Sequence, residues 1–368
     1  MRCISDESPQ PQTRLHNSSR LPSLDGWRAV SIVMVLGFHS AFAAGFPVGL
    51  KPAFFDYIFN GDLGVRFFFI ISGFLITWLM VLETDKSGSV NLKYFYARRF
   101  LRILPVYFTF LCVLAGLQVF ASTPQSVVSW VGNLTFTRNF TGGAPSSEHL
   151  WSLSVEEQFY LIWPAALVLS GAGRNVRPAI LILGTVILLA PFFRGMWITG
   201  CYPAILAPVF CVDSFFLRFD SLAFGCLCAI LLARKRELIS EYFKARSWLI
   251  VILAVSLIFF SNFLDVWLAI RLGPTLQALG FSFLLLHSVV APQWGFYRAL
   301  NWAWVRQIGV LSYSLYIWQQ LFWSPPKSLG LSHTWWMGLW IIPLFTVATV
   351  SYYGIERPFL ELRKRFRG

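Results

Sequence analysis

The sequence predicts an all-α protein, a polytopic integral membrane bundle of about ten transmembrane helices with both termini in the cytoplasm. Three observations predict it. First, 56% of the 368 residues are hydrophobic and only 13% are charged, against about 25% charged residues in soluble domains. Second, ten stretches are apolar over about the 20 residues that span a bilayer core. Third, the basic residues fall in alternate loops. The composition, with a mean hydropathy of +0.61, excludes a soluble enzyme, a disordered regulator and a disulfide-stapled secreted module.

The ten stretches lie near 27–46, 64–82, 103–121, 154–170, 178–197, 215–233, 247–263, 275–292, 304–323 and 337–355. The fourth and sixth are the shortest. No repeat and no second composition regime interrupts them. The reading is one transmembrane domain over 21–359, with a polar cytoplasmic tail (1–20) before it and a short basic tail (360–368) after it. The start, MRCISDESPQPQTRLHNSSRLPS, lacks the apolar region of a signal peptide.

The positive-inside rule supports the count. With ten helices and a cytoplasmic N-terminus, 23 of the 30 Lys and Arg residues fall inside. Lys51, Arg66, Arg138, Arg194, Arg218, Arg271 and Lys327 fall outside. The net charge of +13 is thus a topology signal, and no nucleic-acid partner is expected. The six cysteines form no CxxC pair and no Cys/His metal spacing, so no metal is expected. Cys201 and Cys211 share an outside loop, where a disulfide or two unpaired cysteines fit equally.

Ionisable groups inside spanning helices are costly and mark function by default. In the first stretch, WRAVSIVMVLGFHSAFAAGF, Arg28 sits at the cytoplasmic mouth and His39 lies further along. The eleven steps between them rise about 16 Å and turn about 1100°, three turns plus 20°. The two side chains therefore share one face at different depths. A neutral histidine bonded to a neighbouring helix is the plainer reading of His39. The second stretch carries Ser72 and Gly73, residue types that mostly serve packing. The third opens with KYFYARRFLRILP, in which Arg99 and Arg102 share a face. They read either as positive-inside anchors or, with Arg28, as a clamp on phosphate oxygens.

The fourth stretch begins HLWSLSVEEQFYLIWP. Ser154 and Glu157 have capping-box spacing, which gives Glu157 a structural role and leaves Glu156 without one. Glu156 is expected at the depth of His39, where a carboxylate on one imidazole nitrogen raises the basicity of the other. In the sixth, FLRFDSLAFG sets Arg218 and Asp220 two apart, so they do not pair along the helix. His287, in the eighth, reads as a satisfied core residue, and His149 is open. Ser312, Tyr313, Ser314, Gln319 and Gln320 in GVLSYSLYIWQQ read as packing positions. Aromatics at helix ends form the interfacial belts.

Seven motifs in series resemble membrane acyltransferase family 3. They are LPSLDGWRAVSIVMVLGFHS, GVRFFFIISGFLIT, RRFLRILPVYF, HLWSLSVEEQFYLIWP, RFDSLAFG, LSYSLYIWQQ and GIERPF, running in the family's order from about Leu21 to Phe359. The family's members are O-acyltransferases of surface glycans, nodulation oligosaccharides and macrolides. The resemblance implies a multi-pass enzyme of the inner (plasma) membrane. It implies transfer of an acyl group, by default acetyl, from cytoplasmic acyl-CoA to a hydroxyl, with no permanently bound cofactor.

By position, the family's Arg-ten-residues-His motif falls on Arg28 and His39, its RxxR motif on Arg99 and Arg102, and its acid on Glu156. The resemblance thus implies His39 as general base with Glu156 behind it, and CoA phosphates on Arg28, Arg99 and Arg102. Ser72, Trp151, Gln158, Tyr160, Arg218 and Asp220 are candidates for substrate contact or support. Gln319 or Gln320 stands where many members carry a histidine, so no second base is expected there. The esterase-like domain of longer members is not in this sequence, and the membrane unit is expected to act alone or with a separate envelope partner protein.

The expected acceptor is a surface polysaccharide or secreted oligosaccharide, with a small metabolite such as a macrolide as an alternative. Transfer passes through an oxyanion, for which Ser72 or the Gly73 N–H is the expected donor. Direct transfer and an acyl-His39 intermediate both stay open. The rival class is a transporter or flippase for a lipid-linked sugar, which also buries polar residues. Against it, the helices lack an inverted repeat or a matched pair of broken helices.

Overall fold

The structure is a computed structural model that describes residues 21–42, 55–120, 125–141, 144–171, 175–203, 213–323 and 339–366. Among these residues all regular structure is helical and there is no strand. A helix occupies the core of each expected stretch. They are α1 (Leu24–Phe42), α2 (Gly61–Ser87), α3 (Leu92–Phe120), α4 (Leu150–Leu169), α5 (Arg177–Thr199), α6 (Phe215–Arg234), α7 (Ser247–Phe260), α8 (Val266–Val290), α9 (Ala303–Trp323) and α10 (Ile341–Ser351).

Among the described residues, five helices are long and apolar enough to cross a membrane on their own: α2 (together with the short helix Phe55–Ile58 before it), α3, α5, α6 and α8. The helix Arg236–Ala245 meets α7 at a 90° bend, and the pair together makes a sixth candidate. The remaining helices are shorter or more polar. α1, α4 and α9 carry His39, Glu156 and Gln319, so the polarity that weakens them as simple spans is the polarity of the site.

α2 is the centre of the bundle, packed along α6 and flanked by α1 and α8. Its seam with α6 is closed by glycines from both sides. Gly73 lies against the Leu222 carbonyl, and Gly225 lies against the Ile70 carbonyl. A Cβ at either position would strike backbone, so only glycine allows this approach. Along the bundle, α9 runs beside α1, α7 beside α8, and α10 covers α9. One apolar core forms around α3, α4 and α9 through Tyr107, Phe110, Val155 and Leu315. A second forms between α2 and α8 through Phe67, Ile70, Phe74 and Leu285.

Ion pairs mark the two ends of α2. Arg98–Glu83 and Arg234–Asp85, both 2.8 Å, close one end. Arg66–Asp62 (2.9 Å) and Arg218–Asp62 (2.6 Å) close the other. The arginines expected inside and outside thus lie at opposite ends. The chain's last described residues dock back at the first end, where Arg98 Nη1 donates to the Phe366 carbonyl at 2.8 Å.

One expectation changes. α4 begins at Leu150, a turn earlier than the capping box requires, and Ser154 donates to the Leu150 carbonyl at 3.0 Å from inside the helix. Glu157 is therefore not a cap residue, and one of its carboxylate oxygens is buried without a partner. His287 is satisfied as expected, between Tyr297 OH (3.2 Å) and Ser247 Oγ (3.0 Å). Cys211, Lys51, Lys327 and the tail 1–20 lie outside the described residues.

Candidate active site

A cavity opens where α1, α2, α3, α4 and α9 converge, and Arg28, Arg99 and Arg102 all reach it. Ser72 lines the same cavity. Its position in α2, which runs from Gly61 to Ser87, places the cavity about 16 Å from one end of that helix and about 22 Å from the other at 1.5 Å per residue. Arg28 lies one turn from the start of α1. α1 runs antiparallel to α2, with Phe38 against Gly61 and Ser31 against Gly64, and Ser23, just before its first turn, bonds to Ser288 near the end of α8 and to Asn301 just before α9.

The cavity is organised around a carboxylate. Glu156 accepts hydrogen bonds from the Ser72 and Tyr160 hydroxyls. The Arg99 guanidinium lies over the Tyr160 ring at 5.0 Å and near the Phe95 ring at 5.7 Å, a placement stabilised by the ring quadrupole. The lining sets three guanidiniums against one carboxylate, an excess of two positive charges. Such an excess in a partly enclosed space favours an anion that guanidinium forks can grip, above all phosphate.

Sequence reading missed a second carboxylate behind the arginines. Glu356, buried in the π-helical turn Tyr352–Glu356, accepts from Ser314 Oγ at 2.9 Å and interacts electrostatically with Arg102 and Arg28. The GIERPF motif carried the signal, and π-turns are frequent at functional sites.

His39 lies elsewhere. It sits near the far end of α1, at the depth of Gly61, whereas Glu156 sits at the depth of Ser72. The expected Glu156–imidazole pair is not formed, because the early start of α4 sets Glu156 deep in the bundle. The imidazole Nδ1 is instead 3.0 Å from Gln319 Oε1, its ring also meets the carbonyl of Val35 one turn back, and it stacks on Trp323 (5.1 Å, 10°). Carbonyl-type oxygens accept, so Nδ1 carries the proton and Nε2 keeps its lone pair. At the start of α4, His149 Nε2 donates to the Ile317 carbonyl at 3.0 Å.

The other candidates divide. Ser72 and Tyr160 stand in the arginine cavity with Glu156. Gln158 holds the preceding loop through the Phe136 carbonyl (2.8 Å) and Asn139 Oδ1 (2.9 Å). Asp220 is fully buried, bound by Arg194 (2.6 Å), Thr275 (2.7 Å) and the Ser221 N–H (3.0 Å). Both are structural in this arrangement. Arg218 pairs with Asp62 and Asp213 and lies over the Trp151 ring at 4.8 Å. Partial burial holds the Asp213 carboxyl above its usual range despite Arg218 beside it.

Gly73 is taken up by the α2–α6 seam and the Ser72 hydroxyl by Glu156, so neither is placed to receive an oxyanion beside His39. A second cavity opens at the Asp62 end beside Arg66, Arg194 and Arg218. A small hollow lies between the two, sharing Val65 and Phe69 with the first cavity and Arg66 and Arg218 with the second.

Comparison with known proteins bears on this geometry. A family model described as an acyltransferase domain, that of acyltransferase family 3, matches residues 21–352. The peptidoglycan O-acetyltransferase OatA of Listeria monocytogenes is 26% identical over 376 residues, covering 94% of this chain and 57% of the relative. The putative peptidoglycan O-acetyltransferase YrhL of Bacillus subtilis is 25% identical, covering 92% of this chain and 54% of the relative. A putative O-acetyltransferase of Staphylococcus aureus is 30% identical over 172 residues, 42% of this chain and 26% of that protein. The chain thus spans little more than half the length of the first two. No solved structure matches. On a match that runs through every helix of the bundle, the chain belongs to acyltransferase family 3.

Proposed function

We propose that this chain is a membrane O-acyltransferase unit. It moves an acetyl group from cytoplasmic acetyl-CoA to a hydroxyl of an envelope glycan, with peptidoglycan as the first candidate because its relatives carry that name. The observation that carries the reading is the placement of an arginine-lined cavity and a histidine on one helix, three turns apart. In this reading the ten helices all belong to the membrane domain, and the Arg98 end faces the cytoplasm in keeping with its basic residues.

The CoA phosphates bind Arg28, Arg99 and Arg102, and the pantetheine arm extends along α1 toward His39. The acceptor comes from the opposite end. His39 Nε2 takes the proton of the acceptor hydroxyl while its oxygen bonds to the thioester carbon and the carbonyl electrons move to oxygen. The tetrahedral intermediate collapses with loss of the CoA thiolate, which the imidazolium protonates. Glu156 then serves the donor cavity, where it fixes Ser72 and Tyr160 and offsets part of the arginine charge.

The test is transfer of labelled acetate from acetyl-CoA to glycan in washed membranes, at matched protein levels. His39→Ala should lose at least about 10²-fold in rate. Arg99→Ala should raise the KM for acetyl-CoA far more than it lowers kcat. Near-normal turnover by His39→Ala would remove the base from the mechanism.

A further inference from the structure

The cavity at the Asp62 end of α2 has no part in the donor chemistry proposed above. Asn60 and Asp62 line it on either side of Gly61, and Gly61 packs against Phe38, the residue before His39. The cavity and the histidine therefore flank the same turn of α2, at one depth. This is the end opposite the basic Arg98 end, the side from which the acceptor comes in the proposed reaction.

Its electrostatics differ from those of the donor cavity, where three guanidiniums face one carboxylate. Here Arg66 and Arg218 pair with Asp62, Arg218 also reaches Asp213, and Arg194 is held by Asp220. Three arginines are answered by three carboxylates, which leaves no excess charge to select a phosphate. The Gln277 amide is likewise spent between Arg66 and Ser261. Other groups stay available. The Asp62 side chain is 49% exposed, and each oxygen of a carboxylate can accept more than one hydrogen bond. Asn262 is exposed; its amide and the Asn60 Nδ2 bond to nothing among the described residues. Trp197 lines the cavity with a partly buried indole that pairs with no other ring among the described residues.

A carboxylate and two amides beside an apolar ring suit one chemistry. The adjacent hydroxyls of a pyranose donate to the carboxylate and exchange hydrogen bonds with the amides, while its C–H face covers an indole. An acyl chain would strand the polar groups, and a phosphate would have to displace Asp62 from two arginines. We infer that this cavity is the acceptor subsite, in which Asp62, Asn60 and Asn262 bond to sugar hydroxyls and Trp197 packs on a sugar face. The inference rests on the reading of the chain as a glycan O-acyltransferase, and measuring binding apart from transfer separates the two.

The protein is the full chain in lipid nanodiscs, and the probe is a radiolabelled N-acetylglucosamine tetrasaccharide, which is neutral and soluble. Wild type should bind it, and excess inorganic pyrophosphate should not displace it. Trp197→Leu and Asn262→Ala should each weaken binding about threefold to tenfold, the size of one ring contact or one hydrogen bond, and Trp197→Phe should restore most of the loss. In washed membranes both variants should raise the KM for glycan and leave the KM for acetyl-CoA at the wild-type value. If Trp197→Leu lowers the unfolding midpoint, Asn262→Ala, which removes only an exposed amide, decides. A tetrasaccharide that does not bind wild type, binds all variants equally or leaves with pyrophosphate would overturn the subsite, while acetyl transfer by wild type would still carry the enzyme reading. Tetrasaccharide binding by a wild type that transfers no acetate would overturn the enzyme reading instead.

Discussion

At the scale of single residues, the pairing of Arg28 with His39 was legible because both lie on one helix, and helical geometry fixes their relation without any fold. The partner of His39 was not legible. Gln319 lies 280 residues away in sequence, and only the packing of α9 along α1 brings it in. Glu156 was recognised as functional for a reason the structure withdraws. The capping argument that set Glu157 aside depended on the start of α4, and helix starts are the least certain feature of a sequence reading.

The relocation of Glu156 has a kinetic consequence. A carboxylate supporting the imidazole would set the acid limb of the pH–rate profile. One bonded to Ser72 and Tyr160 would not. Glu156→Gln should therefore leave that limb in place and alter the KM for acetyl-CoA, by up to about tenfold. A displaced acid limb, measured by kcat/KM against pH, would return the residue to the histidine.

At the scale of elements, the ten apolar stretches each hold a helix, so hydropathy located the elements. It did not supply their relations. The close seam between α2 and α6 depends on Gly73 and Gly225 meeting facing carbonyls, and a glycine in an apolar stretch carries no mark of what will pass beside it. Overpacking such a contact typically costs about 1–3 kcal/mol. Gly225→Leu should lower the unfolding midpoint and reduce transfer, because α2 carries Ser72 into the cavity. Gly184→Leu on α5, where nothing lies within 4 Å of an added Cβ, is the matched control and should behave as wild type. Equal behaviour of the two variants would mean that the seam tolerates separation. Arg218 and Asp220 illustrate the same limit. Their spacing excluded a pair along the helix, correctly, but Arg194 as the partner of Asp220 follows only from the fold.

At the scale of the whole molecule, composition and charge alternation gave the class and the motifs gave the family. The interior arrangement came from packing. One cavity opens beside Ser72, part-way along α2, and another at its Asp62 end, with a hollow lined by Val65 and Phe69 between them. That layout suits a reaction whose donor and acceptor come from different sides, and it explains why polar residues weaken α1, α4 and α9 as simple spans.

The depth of the arginine cavity carries a further consequence. Mobile counter-ions screen charges at a surface over about 8–10 Å at ordinary ionic strength, but they screen partly buried guanidiniums such as those lining this cavity much less. Donor affinity should therefore respond only weakly to salt: raising it from 50 to 500 mM (roughly threefold in screening length) should leave the acetyl-CoA KM within about twofold. A steep rise would place the phosphates at the rim. In the proposed reaction the same enclosure would hold spent CoA as firmly as fresh donor, so release of CoA back to the side it came from, rather than the acyl transfer, would set the pace.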